Sequence, residues 1–291
     1  MQKKWVLPPE VDSKLVARLA DGLELPLPLA EVLVRRGYET VEAARNFLEP
    51  RLANLEAPEK IPGMNAAVER LQQAIEKKEQ IVLYGDYDVD GVTSLAILTR
   101  FIKQWSGDVE CFLPERASEG YGLSLAAIER CLKMHRPDLL IAIDCGTNSF
   151  AEAEFLKMQG VDLIIVDHHE PAPMNALEIG VALVNPKLGT AVEDHVLCSA
   201  GLVFKLCHAF LKRFPNAEID LKYYLDFVAL GTVADIAPLV GENRIFVRHG
   251  LRRLEKSQWP GVQALISVAE AKPPFSTIDI GFKLGPRINA A

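Results

Sequence analysis

The 291-residue sequence has no C-x-x-C pair, no apolar run approaching the ~20 residues of a bilayer span, and no glycine-rich phosphate loop. It also lacks the G-x-S-x-G of a serine hydrolase and the dinucleotide fingerprint, so no obvious covalent nucleophile or nucleotide cofactor site is offered. Five cysteines (Cys111, Cys131, Cys145, Cys198, Cys207) are scattered and odd in number. That argues against a disulfide frame or a thiolate zinc site, and for reduced thiols in the cytosol. Cys145 follows an aspartate but reads as a small buried filler. The start, Met1-Gln2-Lys3-Lys4-Trp5, runs into Val6-Leu7-Pro8-Pro9 without the apolar core of a secretion signal, so a cytoplasmic setting is expected. Positive charge is scarce too: 32 Lys and Arg face 39 Asp and Glu, a net charge of −7, which weighs against a generic nucleic-acid-binding surface.

What is present is a sizeable core, 49% hydrophobic, and a regular alternation of patterns. Strand-like runs are Ile81–Tyr84, Val109–Leu113, Leu139–Ile143, Leu163–Val166 and Val181–Val184. Helix-like stretches Val92–Trp105, Ser124–Met134 and Ser149–Gln159 separate them, after an amphipathic Met64–Lys78. The fold class expected is α/β, a parallel β-sheet flanked by helices with right-handed crossovers. Residues 1–58 form a small N-terminal helical arm, with helices at Val11–Leu23, Leu29–Arg36 and Val41–Leu48. Its Leu33-Val34-x-x-Gly37-Tyr38 pattern suits a helix–turn–helix hairpin. A packing arm explains it better than DNA reading, because no basic exposed helix follows. Residues 59–291 form the second domain, with motifs over 80–240 and a helical part over 241–291.

The most informative stretch is Asp86-Tyr87-Asp88-Val89-Asp90-Gly91-Val92, three alternate carboxylates directly after Ile81-Val82-Leu83-Tyr84. The D-x-D-x-D-G pattern also opens an EF-hand, but position 12 there must be Glu and here is Ile97, after a β-like rather than helical segment. The logic recurs at Asp144, after Leu139–Ile143, at Asp167-His168-His169, after Leu163–Val166, and at Asp235, after the apolar run Phe227–Leu230. Singly, such an acid commonly caps a helix. Parallel strands deliver all their C-terminal ends to one edge, where several acids and a His pair are hard to explain as separate caps. Carboxylates with one or two imidazoles suit Mn²⁺ or Mg²⁺ better than Zn²⁺. Two such ions would invert the local field, leaving a polyanionic substrate open despite the net charge.

On these motifs the sequence resembles the DHH phosphoesterase superfamily: Asp167-His168-His169 is similar to its signature triplet, and Asp88-x-Asp90, Asp144 and Asp235 follow its other metal motifs in order. Its wording resembles most the bacterial exonucleases that act on single-stranded DNA. Gly85–Gly91, Glu119-Gly120-Tyr121-Gly122-Leu123, the stretch Gly231–Leu239 and Gly285-Pro286-Arg287-Ile288-Asn289-Ala290 carry that likeness. The resemblance implies two Mn²⁺ or Mg²⁺ ions, with Asp144 bridging, Asp88 on one, and Asp90, His168 and Asp235 on the other. Asp86 would lie near the first ion, Asp167 would orient the His pair as an acceptor, and His169 would face the scissile phosphate. One departure is Tyr84, where other branches often carry a histidine, implying that the first ion is held more weakly or more by water.

Substrate contacts are expected from Arg116 and Tyr121, from His169, and from Arg287 and Asn289 in the last motif. Arg116 could instead be an ion-pair partner of the acids. Arg244, Arg248, Arg252 and Lys256 recur every fourth residue, a stripe that suits either a solvated face or a nucleic-acid backbone. His135, His195, His208 and His249 lack a ligand context.

The activity implied is metal-dependent 5′→3′ hydrolysis of single-stranded DNA to 5′-mononucleotides in repair and recombination. A single-strand-binding protein and a RecQ-type helicase are the partners implied, and no membrane association is expected. Alternatives are a phosphoesterase on short oligonucleotides, cyclic dinucleotides or pyrophosphate, and a non-catalytic replication scaffold. Related exonucleases continue past the last motif into further substrate-binding and OB-type domains. The chain is therefore expected to be a fragment that binds metal but degrades DNA poorly.

Overall fold

The structure, a computed structural model, describes residues 9–115, 119–120, 122–172, 182–189 and 196–290. The chain divides into two compact units, Met1–Asn54 and Leu55–Ala291. In the first, helices α1 (Ser13–Leu23), α2 (Leu27–Arg35) and α3 (Val41–Leu48) follow one another. The side chains of Asp12 and Thr40 start α1 and α3 by accepting the N–H groups of Lys14 and Ala43. Val16, Leu19, Ala20, Ala30, Leu33 and Ala44 recur at helical spacing and close a small core of their own. The unit ends before the boundary expected at 58, because Glu56 is tied into the second unit. Its N–H donates to Glu242 Oε1 at 2.9 Å and its carbonyl accepts from the buried Lys205 ammonium at 2.6 Å.

The second unit is built on five parallel strands among the described residues: β1 (Ile81–Gly85), β2 (Val109–Phe112), β3 (Leu139–Ile143), β4 (Asp162–Val166) and β5 (Ala182–Val184). Their order is β2-β1-β3-β4-β5. Strands β1 and β3 are buried along their whole length, which is why they read as unbroken apolar runs rather than alternating ones. Helices α4 (Met64–Lys77), α5 (Val89–Gln104), α6 (Leu125–His135), α7 (Phe150–Met158) and α8 (Ser199–Arg213) flank the sheet. On one face α6 and α7 cover Val82, Tyr84, Leu140, Ala142, Leu163 and Ile165. The strands also pack against α4, α5 and α8. The chain runs outward from β1 to β2, then returns past β1 to β3. That reversal opens a crevice at the C-terminal ends of β1 and β3, where α/β sheets bind ligands.

Beyond α8 lie α9 (Leu225–Ala234), α10 (Gly241–Leu254), α11 (Pro260–Val268), α12 (Thr277–Asp279), a π turn (Ile280–Leu284) and α13 (Gly285–Asn289). They gather around Ala229, Leu230, Leu254, Val262, Ile280 and Leu284. No described helix is long and apolar enough to cross a membrane.

Candidate metal centre

Strand register assembles the centre. Gly85 pairs with Ile143, Ile143 with Val166, and Val166 with Val184. The next residues on the four strands are therefore Asp86, Asp144, Asp167 and Asn185, one polar row at the C-terminal edge. The row continues the ladder: Asp144 N–H donates to the Val166 carbonyl and Asp167 N–H to the Val184 carbonyl, both at 3.0 Å.

The acidic stretch after β1 is not an extended arm, and α5 starts at Val89 rather than Val92. Asp88 is its N-cap, accepting the Gly91 N–H at 2.9 Å, so Asp90 already lies in the first helical turn. A Cβ on residue 91 would sit 2.4 Å from the Asp86 carbonyl oxygen, which is why the turn needs glycine there. Asn289 reinforces the same helix end, its Oδ1 accepting the Val89 N–H at 3.1 Å.

His168 is the hub. Its Nε2 lies 3.2 Å from Asp144 Oδ1, and 3.9 Å from both Asp90 Oδ2 and Asp235 Oδ2. Ligand atoms of Asp90, His168 and Asp235 lie within 4.8 Å of one another, as do those of Asp144, His168 and His169. Asp235 arrives at the C-terminal end of α9. The next residue, Ile236, turns the chain through a left-handed conformation at φ 58° and is 87% exposed. That backbone is costly for a β-branched side chain. Asp144 is left-handed as well, at φ 64°, which an aspartate tolerates better.

The charges on this cluster conflict. Asp90 and Asp144 are only 1% and 3% exposed. Burial, and then the neighbouring Asp144 carboxylate, hold Asp90 well above the usual carboxylate range; burial, then Asp88, do the same to Asp144. Burial also raises Asp235. Oxygen-rich, mutually repelling and partly capped by one imidazole, the set fits a hard divalent cation, whose charge would reverse each of these shifts. Asp167 differs. Burial alone would raise it, yet His169 Nδ1 at 2.7 Å and the N–H groups of Thr147, His168 and His169 hold it well below its ordinary value. The same contact to Asp167 lifts His169 to about 9, and its ring is half exposed.

Tyr84 does not enter this cluster. It is fully buried in the sheet core, stacks on Phe112, and donates its hydroxyl to the Gly122 carbonyl at 2.8 Å. Arg287 is exposed on α13, with Nη1 donating to the Lys283 carbonyl at 2.7 Å. Arg116, Tyr121 and His195 lie outside the described residues.

Three contributors were not among the expected site residues, although Gly231 opens one of the stretches that carry the family likeness. Asn185 is buried and donates to Thr147 Oγ1 and the His169 carbonyl. A polar residue ending an apolar run was the available hint. Gly231 presents bare backbone to Asp90, for a Cβ there would lie 2.6 Å from Asp90 Oδ1. Ser199, at the start of α8, donates to two of the carboxylates.

A parallel sheet that carries an acid–imidazole cluster at its C-terminal edge defines the class to which the chain is compared. Residues 80–232 match the model of the DHH family, N-terminal domain, and the chain belongs to that family. Within it, the chain is 37% identical over 281 residues to the single-stranded-DNA-specific exonuclease RecJ of Bacillus subtilis (strain 168), covering 96% of this chain and 35% of the relative. RecJ of Escherichia coli (strain K12) is 32% identical over 281 residues, covering 92% of this chain and 48% of the relative. The crystal structure of RecJ from Thermus thermophilus in complex with Mn²⁺ superposes with a TM-score of 0.81 at 30% identity, covering 98% of this chain and 39% of that one. The chain thus spans only a third to a half of the length of these curated relatives.

Proposed function

We propose that the chain forms the catalytic part of a metal-dependent nuclease that hydrolyses single-stranded DNA from the 5′ end and releases 5′-mononucleotides. The observation that carries this reading is the meeting of Asp90, His168 and Asp235, with Asp144 against the same imidazole, in a chain so similar to RecJ. Asp90, Asp144, His168 and Asp235 would hold two Mn²⁺ or Mg²⁺ ions, joined by Asp88, whose charge is felt by both Asp144 and Asp235. Asp144 would be the ligand shared by the two ions. When bound, such ions lower the pKa of water and polarise a phosphoryl oxygen. The protein's own part is positional. Asp167 keeps the His169 ring oriented through its 2.7 Å contact, suited to a phosphate oxygen beside the cluster. Arg287 offers its remaining guanidinium donors to the strand. Five free cysteines accord with a cytoplasmic setting.

Incubating the protein in Mn²⁺ with 5′-labelled single-stranded DNA, a cyclic dinucleotide and pyrophosphate tests the reading. Slow release of labelled mononucleotide, lost in Asp144→Ala with circular dichroism unchanged, is the expected result for a chain that spans only part of its relatives. Preferential hydrolysis of pyrophosphate or the cyclic dinucleotide would overturn the substrate, and an active Asp144→Ala variant would overturn the shared ligand.

A further inference from the structure

The start of helix α8 touches both carboxylates that suffer most from burial. Ser199 N–H donates to Asp90 Oδ2 at 2.7 Å and Ala200 N–H to Asp90 Oδ1 at 2.9 Å, so each oxygen of Asp90 is gripped by one backbone donor. The Ser199 hydroxyl turns the other way and donates to Asp144 Oδ1 at 2.9 Å. That same oxygen lies 3.2 Å from His168 Nε2. Ser199 and Ala200 are wholly buried, which keeps water from replacing these bonds. α8 is a 15-residue helix, and its N-terminal dipole favours negative charge at this end. Gly231 also crowds the Asp90 socket: a Cβ there would meet Asp90 Oδ1 at 2.6 Å, Thr93 Oγ1 at 2.7 Å and Ala200 Cβ at 2.8 Å.

We propose that Ser199 is a positioning residue for the metal centre: its hydroxyl fixes the rotamer of Asp144 while its backbone fixes Asp90, setting the spacing of a carboxylate at the end of β3 and one in the first turn of α5. The inference rests on the proposed metal-dependent reading and adds the element that preorganises its ligands. Two like charges at this depth would otherwise turn away from each other. One residue bonded to both converts their repulsion into a fixed pair of acceptors, ready for a cation without side-chain rearrangement. Outer hydrogen bonds to metal-binding groups commonly matter 10- to 100-fold in affinity. Alanine removes only the hydroxyl bond to Asp144, leaving the two backbone bonds to Asp90 in place.

Calorimetric titration of Mn²⁺ into the metal-free wild type, Ser199→Ala and Asp144→Ala, and the double variant, tests this. Ser199→Ala should bind Mn²⁺ about 10-fold more weakly with unchanged circular dichroism, and should add no further loss in the Asp144→Ala background. The electron paramagnetic resonance spectrum of bound Mn²⁺ should broaden, which a merely structural contact would not produce. Ser199→Gly deletes the same hydroxyl and replaces the alanine variant if that variant fails to fold. Affinity within twofold of wild type in the hydroxyl-deleted variant overturns the positioning role while the metal reading stands. Absence of Mn²⁺ binding by the wild type overturns both.

Discussion

Asp144 and Asp167 occupy the same level on neighbouring strands, each one residue past a buried apolar run, and each is almost fully buried. Their circumstances are opposite. Asp167 has His169 and three backbone N–H groups on its oxygens, and is held below the usual carboxylate range. Asp144 has Ser199 and the His168 ring on one oxygen, with Asp88 and Asp167 nearby, and is pushed above that range. Identical residues at identical register thus divide into a satisfied anion that orients an imidazole and a frustrated one that calls for a cation. Hydrogen-bond supply, rather than burial, separates the two carboxylates.

The largest way to break this contrast is to neutralise each partner in metal-free protein. Asp167→Asn should destabilise by roughly 2–3 kcal/mol, the scale for hydrogen bonds to a buried charge, read by urea denaturation. Asp144→Asn should instead be neutral or stabilising by about 1 kcal/mol, because it removes a poorly compensated buried acid. Mn²⁺ should then raise the melting temperature of wild type but not of Asp144→Asn. Equal destabilisation by the two variants would erase the distinction.

Gly231→Ala sharpens it from the side of Asp90. The added methyl must displace the Asp90 carboxylate or α9, at a cost of about 1–3 kcal/mol typical of overpacking, and should weaken Mn²⁺ binding in the same titration. A smaller effect of opposite sign is expected next door. Ile236→Gly relieves a left-handed β-branched residue whose side chain is solvent-exposed, and should stabilise by roughly 1 kcal/mol, less the entropy that glycine adds to the unfolded chain. An unchanged melting temperature would show that the conformation carries no strain.

The gentlest test is titration. In metal-free protein His169 should lose its proton near pH 9 by NMR, and Asp167→Asn should bring that midpoint down toward 6.5. A raised histidine stabilises the fold below its unfolded value and loses that contribution as pH rises toward about 9. Asp167, lowered in the fold, contributes above its unfolded value and loses its contribution as the solution is acidified. A His169 midpoint unaffected by Asp167→Asn would detach the imidazole from its acceptor.

Legibility followed the range of the interaction. Strands β1 and β3 were readable because both faces are buried, which forces unbroken apolar runs. Asp90, Asp144, His168 and Asp235, which the structure brings together, could be singled out because each stands next to such a run or in a dense acidic cluster. The start of α5 was misplaced because the cap at Asp88 depends on a side chain folding back onto Gly91, which apolar spacing does not register. Ser199 and Asn185 escaped because their partners lie far away in the chain, 55 positions off in the bond from Ser199 to Asp144. Asn289, expected as a substrate contact, also has its side-chain oxygen engaged at the head of α5, 200 positions away, a link that the chain order does not announce.

The amino-acid order alone determined a parallel sheet and the acids at its strand ends, since apolar runs interrupted by turns permit few other arrangements. Only the tertiary structure decided which of those acids share an oxygen environment and which are satisfied. That choice depends on donors brought in by α8 and by the loop after β4, and distances of about 3 Å between remote residues are set by packing rather than by neighbours in the chain.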